Sequence, residues 1–136
     1  MGNFSSIDIS VSGLYAQRMR LDAIANNIAN ATTTRTEKGG PYRKQEVVFQ
    51  AHSGDFEDGV GGVEVVGVVE SPDPPKMVYD PSHPDAGPDG MVAMPNVNIV
   101  EEMVDMITAT RAYEANIQAI NSARSMAMKA LELGRV

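Results

Sequence analysis

The stretch AIANNIANATTT, residues 23–34, places three asparagines among alanines and isoleucines at the end of an apolar-periodic segment. They are Asn26, Asn27 and Asn30. Asparagine is a mediocre helix former, because its amide competes with the helix for nearby backbone groups. Three such residues within five positions therefore require an explanation beyond helix propensity.

The residues before this stretch predict a helix over about residues 5–30, capped by Ser5 or Ser6. Apolar side chains recur at every seventh position, which gives a narrow seam of the coiled-coil type rather than the broad face of a globular helix. The seam consists of Ile7, Leu14, Leu21 and Ile28, and Val11, Ile24 and Ala25 widen it.

Two interpretations of the asparagines are open. In the first, they form a solvated face near the helix end, with Asn30 as the capping residue. In the second, they bond neighbouring helices inside a nearly dry bundle, where an unpaired polar group costs about 1–3 kcal/mol, and they fix helix register. The alanines beside them favour packing, because a solvated face more often carries Lys and Glu.

A second and longer helix is predicted over about residues 97–133, capped by Asn96 or Asn98 and followed by Gly134. A helix of about 35 residues is roughly 50 Å long. That length exceeds a compact domain of 136 residues, so the helix needs a partner along its whole length. One alternating four-three track of mostly apolar residues runs along it: Ile99, Met103, Met106, Thr110, Tyr113, Ile117, Ile120, Arg124, Ala127 and Leu131.

The middle of the chain has a different composition. It contains all eight prolines and nine of the twelve glycines. Short strands are predicted at 44–52, 62–70 and 76–80 and in MVAM, residues 91–94. Val63, Val65, Gly67 and Val69 would share one face of their strand. The fold class is therefore mainly α, with long N- and C-terminal helices paired as a coiled coil around a small β-rich and loop-rich middle. The predicted division is 1–34, 35–95 and 96–136.

Charge and composition exclude several classes of function. The net charge is −7, and residues 31–96 carry −6 of it, from five basic and eleven acidic side chains. An acidic middle repels phosphates, so we expect no nucleic-acid partner. The absence of cysteine excludes disulfides and thiolate metal sites. We expect neither a classical signal peptide nor a transmembrane helix.

The two histidines, His52 and His83, are the strongest candidates for catalysis or metal binding. His83 lies near Asp80, Asp85 and Asp89, but the spacing matches no metal motif and prolines interrupt it. A solvated loop or a subunit contact is the better interpretation. We predict no catalytic residue, no metal, no cofactor and no small-molecule substrate, and hence no enzyme.

Long parts of the chain resemble a known family. ISVSGLYAQRMRLDAIANNIANATTTRT, residues 9–36, and the segment from Asn96 to Val136 are similar to the paired terminal signatures of flagellar basal-body rod, hook and hook-associated proteins. The middle segments GGPYRKQEVVFQ, residues 39–50, and GVGGVEVVGVVESPDPPKMVYDPSHPDA, residues 59–86, resemble the C-type proximal rod branch of that family.

The resemblance implies a structural subunit whose terminal helices pair into a coiled-coil inner domain. These domains pack into a hollow tube, the periplasmic drive shaft of the flagellar basal body, which transmits torque and conducts exported subunits. The implied partners are further copies, other proximal rod subunits, the distal rod, the basal-body adaptor at the motor ring and the flagellar type III export apparatus. The expected subunit-contact residues are Leu14, Leu21, Ile24, Asn26, Asn27, Ile28, Asn30, Met103, Ile107, Tyr113, Asn116, Ile117 and Ile120.

Two other hypotheses belong to different classes. A soluble helical adaptor or export chaperone would bind other proteins without entering a filament. A small hydrolase would depend on His52 or His83, and no further sequence feature favours it. For the leading hypothesis we expect the terminal helices to order fully only against neighbouring subunits.

Overall fold

The computed structural model describes residues 2–52 and 61–135, with side chains from residue 6 onward. Within these residues two long helices flank four short strands, which confirms the predicted pair of long terminal helices around a small β middle. The elements are α1 (Gly2–Ala29), β1 (Gln45–Ala51), β2 (Val63–Glu70), β3 (Lys76–Tyr79), β4 (Met91–Met94) and α2 (Ile99–Leu133).

The start of α2 follows the prediction and the start of α1 does not. Asn98 is extended, with φ −96°, and its side chain accepts a hydrogen bond of 3.1 Å from the Val100 amide. Helix α1 already begins at Gly2, so the predicted cap at Ser5 or Ser6 is wrong. A serine inside a helix can bond to the carbonyl of the preceding turn, as Ser10 does to Ser6 at 2.8 Å, so serine alone does not start a helix.

Gly134 ends α2 in a right-handed conformation, with φ −75°. Its amide donates a 3.1 Å hydrogen bond to the carbonyl of Ala130. The helix therefore ends without the left-handed residue that usually selects glycine after a helix.

Strands β1 and β2 form one antiparallel pair, from Gln45 opposite Glu70 to Ala51 opposite Val63. A bulge interrupts the register, because Val48 faces Gly67 while Phe49 faces Val65. The extra residue on β2 breaks the strict alternation that the sequence predicted for this strand. Val65 and Gly67 are half-buried, whereas Val63 and Val69 are exposed.

Strands β3 and β4 form a second antiparallel pair, from Lys76 opposite Met94 to Tyr79 opposite Met91. The two pairs are separate sheets. The connection SPDPP, residues 71–75, joins them and contains three prolines, which lack the amide donors that a continuous ladder would need.

The two helices pack antiparallel. Gly13 lies against Asn116, Arg20 lies 3.6 Å from Asp105, and Asn27 bonds to Glu102, so the contacts run in opposite order along the two helices. The buried apolar residues of the pair are nearly all alanine, which lets the backbones approach closely. From residue 6 onward they are Ala16, Ala23, Ile24, Ala109 and Ala123.

The chain exposes 9682 Å² of surface. A compact protein of 14.6 kDa would expose about 6,900 Å². The excess means that the chain buries little of its own surface. No helix of the described residues is long and apolar enough to cross a bilayer.

Candidate assembly interface

Asn27 uses the whole hydrogen-bonding capacity of its amide. Its nitrogen donates to the Gln45 carbonyl at 2.9 Å and to Glu102 Oε2 at 3.0 Å. Its oxygen accepts from the Gln45 amide at 2.8 Å and from the Tyr42 hydroxyl at 3.0 Å. The side chain is 1% exposed. It therefore pairs with the backbone of β1 as a neighbouring strand would, while the nitrogen also reaches α2.

Glu102 is also 1% exposed, although it carries a carboxylate. Lys44 Nζ lies 2.8 Å from Oε1, and Asn27 bonds to Oε2. A buried charge is tolerated only when it is paired and hydrogen-bonded. The contact with Glu102 raises the pKa of Lys44, against burial, which lowers it, so the ammonium stays charged.

We call Asn27, Tyr42, Lys44, Gln45 and Glu102 the polar cluster. Burial raises the pKa of Tyr42, and the negative charges of Glu102 and Glu70 raise it further. The phenol is therefore protonated at neutral pH, as its hydrogen bond to Asn27 requires. The cluster joins α1, α2 and the start of β1 at a single point.

A second attachment fixes the β1–β2 hairpin to α1. Ser12 Oγ accepts from the Val63 amide at 3.0 Å and donates to the Ile9 carbonyl at 2.7 Å. Gly62 lies so close that a Cβ there would be 2.3 Å from Ser12 Oγ. The hairpin thus contacts α1 through hydrogen bonds at two separated residues, Ser12 and Asn27.

The histidines lie in different places. In the β3–β4 loop, His83 Nδ1 accepts from the Asp85 amide at 3.1 Å, while Asp85 accepts from Thr34 at 2.7 Å and pairs with Arg35. The hydrogen bond from Thr34, together with Arg35, lowers the pKa of Asp85. His52 lies beside Glu64 on the other hairpin, at 3.5 Å. Among the residues that the structure describes, no three His, Asp or Glu side chains are grouped as metal ligands.

The three asparagines have three different environments, so each interpretation of them holds for a different residue. Asn27 is packed, Asn26 is exposed, and Asn30 lies just after the end of α1. The side-chain nitrogen of Asn30 donates to the Asn26 backbone carbonyl at 2.9 Å, and its side-chain oxygen accepts from the Thr33 hydroxyl at 3.2 Å.

The other predicted contact residues divide between the inside and the outside of the helix pair. The first group is buried or half-buried: Leu14, Leu21, Ile24, Ile28, Tyr113, Asn116 and Ile120. The second group is exposed: Met103, Ile107 and Ile117. The structure of one chain brings the first group together and leaves the second group without a partner of its own.

The predicted four-three track on α2 is only partly the inner face. Met106, Tyr113, Ile120 and Ala127 are half-buried, but the positions between them are exposed. The buried residues of α2 are Glu102, Ala109 and Ala123. The track missed Glu102, because a carboxylate in the first turn suits the helix dipole without any buried partner.

An exposed apolar surface covers the first two turns of α2. Val100, Met103, Val104 and Ile107 follow the i, i+3, i+4, i+7 spacing of one helix face, and they are 69%, 53%, 58% and 56% exposed. We call these four residues the α2 stripe. A contiguous apolar surface of this kind marks an interaction site in a soluble protein.

Comparisons with known proteins agree with the geometry. A family model described as "Flagella basal body rod protein" matches residues 7–35, and one described as "Flagellar basal body rod FlgEFG protein C-terminal" matches residues 89–133. Proteins named flagellar basal-body rod protein FlgC are similar over nearly the whole chain. The relative from Borreliella burgdorferi is 48% identical over 98% of both chains. The relative from Salmonella typhimurium is 44% identical over 99% of this chain and 100% of its own. The relative from Bacillus subtilis is 40% identical, with the same coverage.

Proposed function

This chain belongs to the flagellar basal-body rod protein FlgC family, and from that premise we propose that it forms part of the proximal rod. As a member of the family it is a structural subunit of the basal-body rod, and it is not an enzyme. Its place is the flagellar basal body, where it assembles with other rod proteins.

The two long terminal helices support a finer role. We propose that the terminal helices form a coiled-coil inner domain of 1–34 and 96–136, with 35–95 outside it. Close-packed copies of this domain, with other axial subunits, would build a hollow periplasmic shaft that transmits torque and conducts exported subunits. Its neighbours would be further proximal rod subunits, the distal rod and the basal-body adaptor at the motor ring, and delivery would use the flagellar type III export apparatus.

The α2 stripe is the observation that carries this proposal. The buried apolar residues of α2 are the alanines Ala109 and Ala123, while the four larger apolar side chains of the α2 stripe are exposed. In a protein that works as a monomer, this arrangement would leave apolar side chains in contact with water. A subunit packed between neighbours buries both faces of the helix. We propose that Asn26, Met103, Ile107 and Ile117 contact neighbouring subunits directly. The inner residues Leu14, Leu21, Ile24, Asn27, Ile28, Asn30, Tyr113, Asn116 and Ile120 would shape the helix pair that makes these contacts.

The test compares two variants, one with a charge on the α2 stripe and one with the same charge at a neighbouring position outside it. Ile107→Arg introduces a guanidinium that assembly would have to desolvate, whereas Thr108→Arg adds the same group at an adjacent exposed position. Each variant is expressed in a strain whose own gene for this subunit is deleted. Swimming motility and the presence of the chain in purified basal bodies are measured.

We expect Ile107→Arg to abolish both while Thr108→Arg retains motility. Circular dichroism of the purified variants should show equal helix content, because both positions are exposed in the single chain. Full motility with Ile107→Arg would show that the α2 stripe is not part of a subunit interface. Rods that form normally in the deletion strain without any copy of the gene would refute the role itself.

A further inference from the structure

We propose that the polar cluster is a three-part latch, in which the β1–β2 hairpin is seated on α1 only when α2 is paired with α1. The proposal concerns the single chain and does not depend on the proposed role in the rod. It rests on the geometry of Asn27, Lys44 and Glu102, which belong to α1, to the residue before β1 and to α2 respectively.

Among Asn27, Lys44 and Glu102, removal of any one residue leaves the others with a missing hydrogen bond or an uncompensated charge. Without Glu102, the Asn27 nitrogen loses one of its two acceptors and the partly buried Lys44 ammonium loses its counter-charge, 2.8 Å away. Without Lys44, the Glu102 carboxylate is buried with no cation. Without Asn27, the hairpin loses both of its backbone bonds at Gln45. Because breaking a buried pair costs far more than the pair contributes net, the three members should form together.

The hairpin has few other directional contacts with α1. Val48, Phe49, Val66 and Val68 are exposed, and the half-buried Val47 and Val65 supply apolar contact, which does not fix an angle. The other hydrogen-bonded attachment to α1 in the described residues is the Ser12–Val63 bond at 3.0 Å. One hydrogen bond holds a position but leaves the hairpin free to rotate about it. The cluster therefore fixes the angle between the hairpin and the helix pair.

Chain order makes the latch directional. Asn27 and Lys44 come from the first third of the sequence, while Glu102 is separated from Lys44 by the whole middle. A chain that folds from its first residues onward can form the hairpin, but it cannot fix the hairpin before α2 is in place. The orientation of the middle thereby reports whether the two terminal helices have paired.

The first test is a double-mutant cycle on the full chain, read by hydrogen exchange at the Gln45 amide. This amide is bonded to the Asn27 side chain, so its protection measures the closed latch. Lys44→Met should speed its exchange by about 100-fold, because Glu102 is left buried and unpaired. Glu102→Gln, the other single variant of the cycle, leaves the partly buried Lys44 ammonium without its counter-charge and should also speed exchange. Lys44→Met with Glu102→Gln removes both charges and should return exchange to within about tenfold of the parent chain.

The second test disturbs the helix pair away from the cluster. Ala109 is buried against α1 two turns from Glu102, and Thr108 beside it is exposed. Because the chain has no cysteine, spin labels on Gln50→Cys in β1 and Arg18→Cys, an exposed position of α1, report the distance between the hairpin and α1 without background. Ala109→Asp should broaden that distance distribution and Thr108→Asp should leave it narrow.

Additive effects in the cycle would overturn the latch. So would a narrow distance distribution in Ala109→Asp, or a Gln45 amide that already exchanges freely in the parent chain. If Ala109→Asp unfolds the whole chain, the cycle alone decides, because its double variant carries no buried charge. All of these measurements use the isolated chain, so a failure of rod assembly cannot imitate a failure of the latch.

Discussion

The substitution Asn27→Asp changes one atom group of the polar cluster without changing its size. The amide nitrogen becomes a carboxylate oxygen, placed 2.9 Å from the Gln45 carbonyl and 3.0 Å from Glu102 Oε2. Two donated hydrogen bonds become two repulsive contacts. Asn26→Asp, one residue earlier, is the matched control, because Asn26 is exposed.

The expected loss can be worked from these contacts. A neutral hydrogen bond contributes about 0.5–1.5 kcal/mol and one to a charged group about 1.5–3 kcal/mol. Burying a second carboxylate beside Glu102 adds to the loss, so we expect Asn27→Asp to lower the free energy of unfolding by about 3–5 kcal/mol. For a domain of this size that is a fall of roughly 10–20 °C in Tm. Asn26→Asp should stay within about 0.5 kcal/mol.

Urea unfolding of the two variants, followed by circular dichroism at pH 8 and pH 5, measures the effect. Burial beside a carboxylate raises the pKa of the introduced carboxyl above its value in the unfolded chain. Protonation then favours the folded state, and the stability of Asn27→Asp relative to the parent should recover as the pH falls. An Asn27→Asp chain as stable at pH 8 as Asn26→Asp would refute the assignment of Asn27 as a buried, fully bonded amide.

Three further outcomes follow from the structure. Folding raises the pKa of Tyr42 above 10.0 and that of Lys44 above 10.5, so the stability that these groups provide is present below those values and is lost as the pH rises through the folded pKa values. Alkaline titration followed by circular dichroism should show unfolding that begins above about pH 10. The stability of Lys44→Met should depend less on pH in this range than the stability of the parent chain does. Replacing glycine by alanine inside a helix usually raises the free energy of unfolding by about 1 kcal/mol, but Gly13→Ala should not, because its Cβ would lie 3.0 Å from the Asn116 side chain. In thermal unfolding, Gly13→Ala combined with Asn116→Ala should show that stabilisation. Stabilisation by Gly13→Ala alone would contradict the close approach of Gly13 to Asn116. His83→Ala removes one acceptor from an exposed loop and should leave motility intact and stability within about 1 kcal/mol, so a non-motile His83→Ala strain would count against a purely structural loop.

The parts of the fold that follow from local chemistry were predictable. Asn98 begins α2 because a side-chain oxygen can bond to a free amide two residues on, and that rule is local. The β-branched runs predicted β1 and β2 within a residue or two of their bounds. The bulge at Val66 of β2, opposite Val48 and Phe49, was not predictable, because it depends on the pairing register rather than on either strand alone.

The polar cluster was only half predictable. The sequence marked Asn27 as unusual, but it offered no reason to join Asn27 to the backbone of Gln45 or to Lys44, since those contacts depend on where the middle folds back. An apolar seam has no position for a carboxylate, so the periodicity of α2 did not predict that Glu102 is buried. Only the packing of the helices shows that a charged residue occupies an inner position of α2.

The alanine-lined contact between α1 and α2 has a thermodynamic consequence for polymer growth. Small side chains bury little hydrocarbon, so the helix pair of a single copy gains little free energy from burial, and the larger apolar groups of the α2 stripe stay exposed. In the proposed rod, the next subunit would cover them. Much of the stability of such a protein is then supplied by mass action, and it rises with the local supply of subunits. In the proposed rod, addition of a subunit and completion of its tertiary structure would be one equilibrium, and the subunit at the growing tip would be the least stable one.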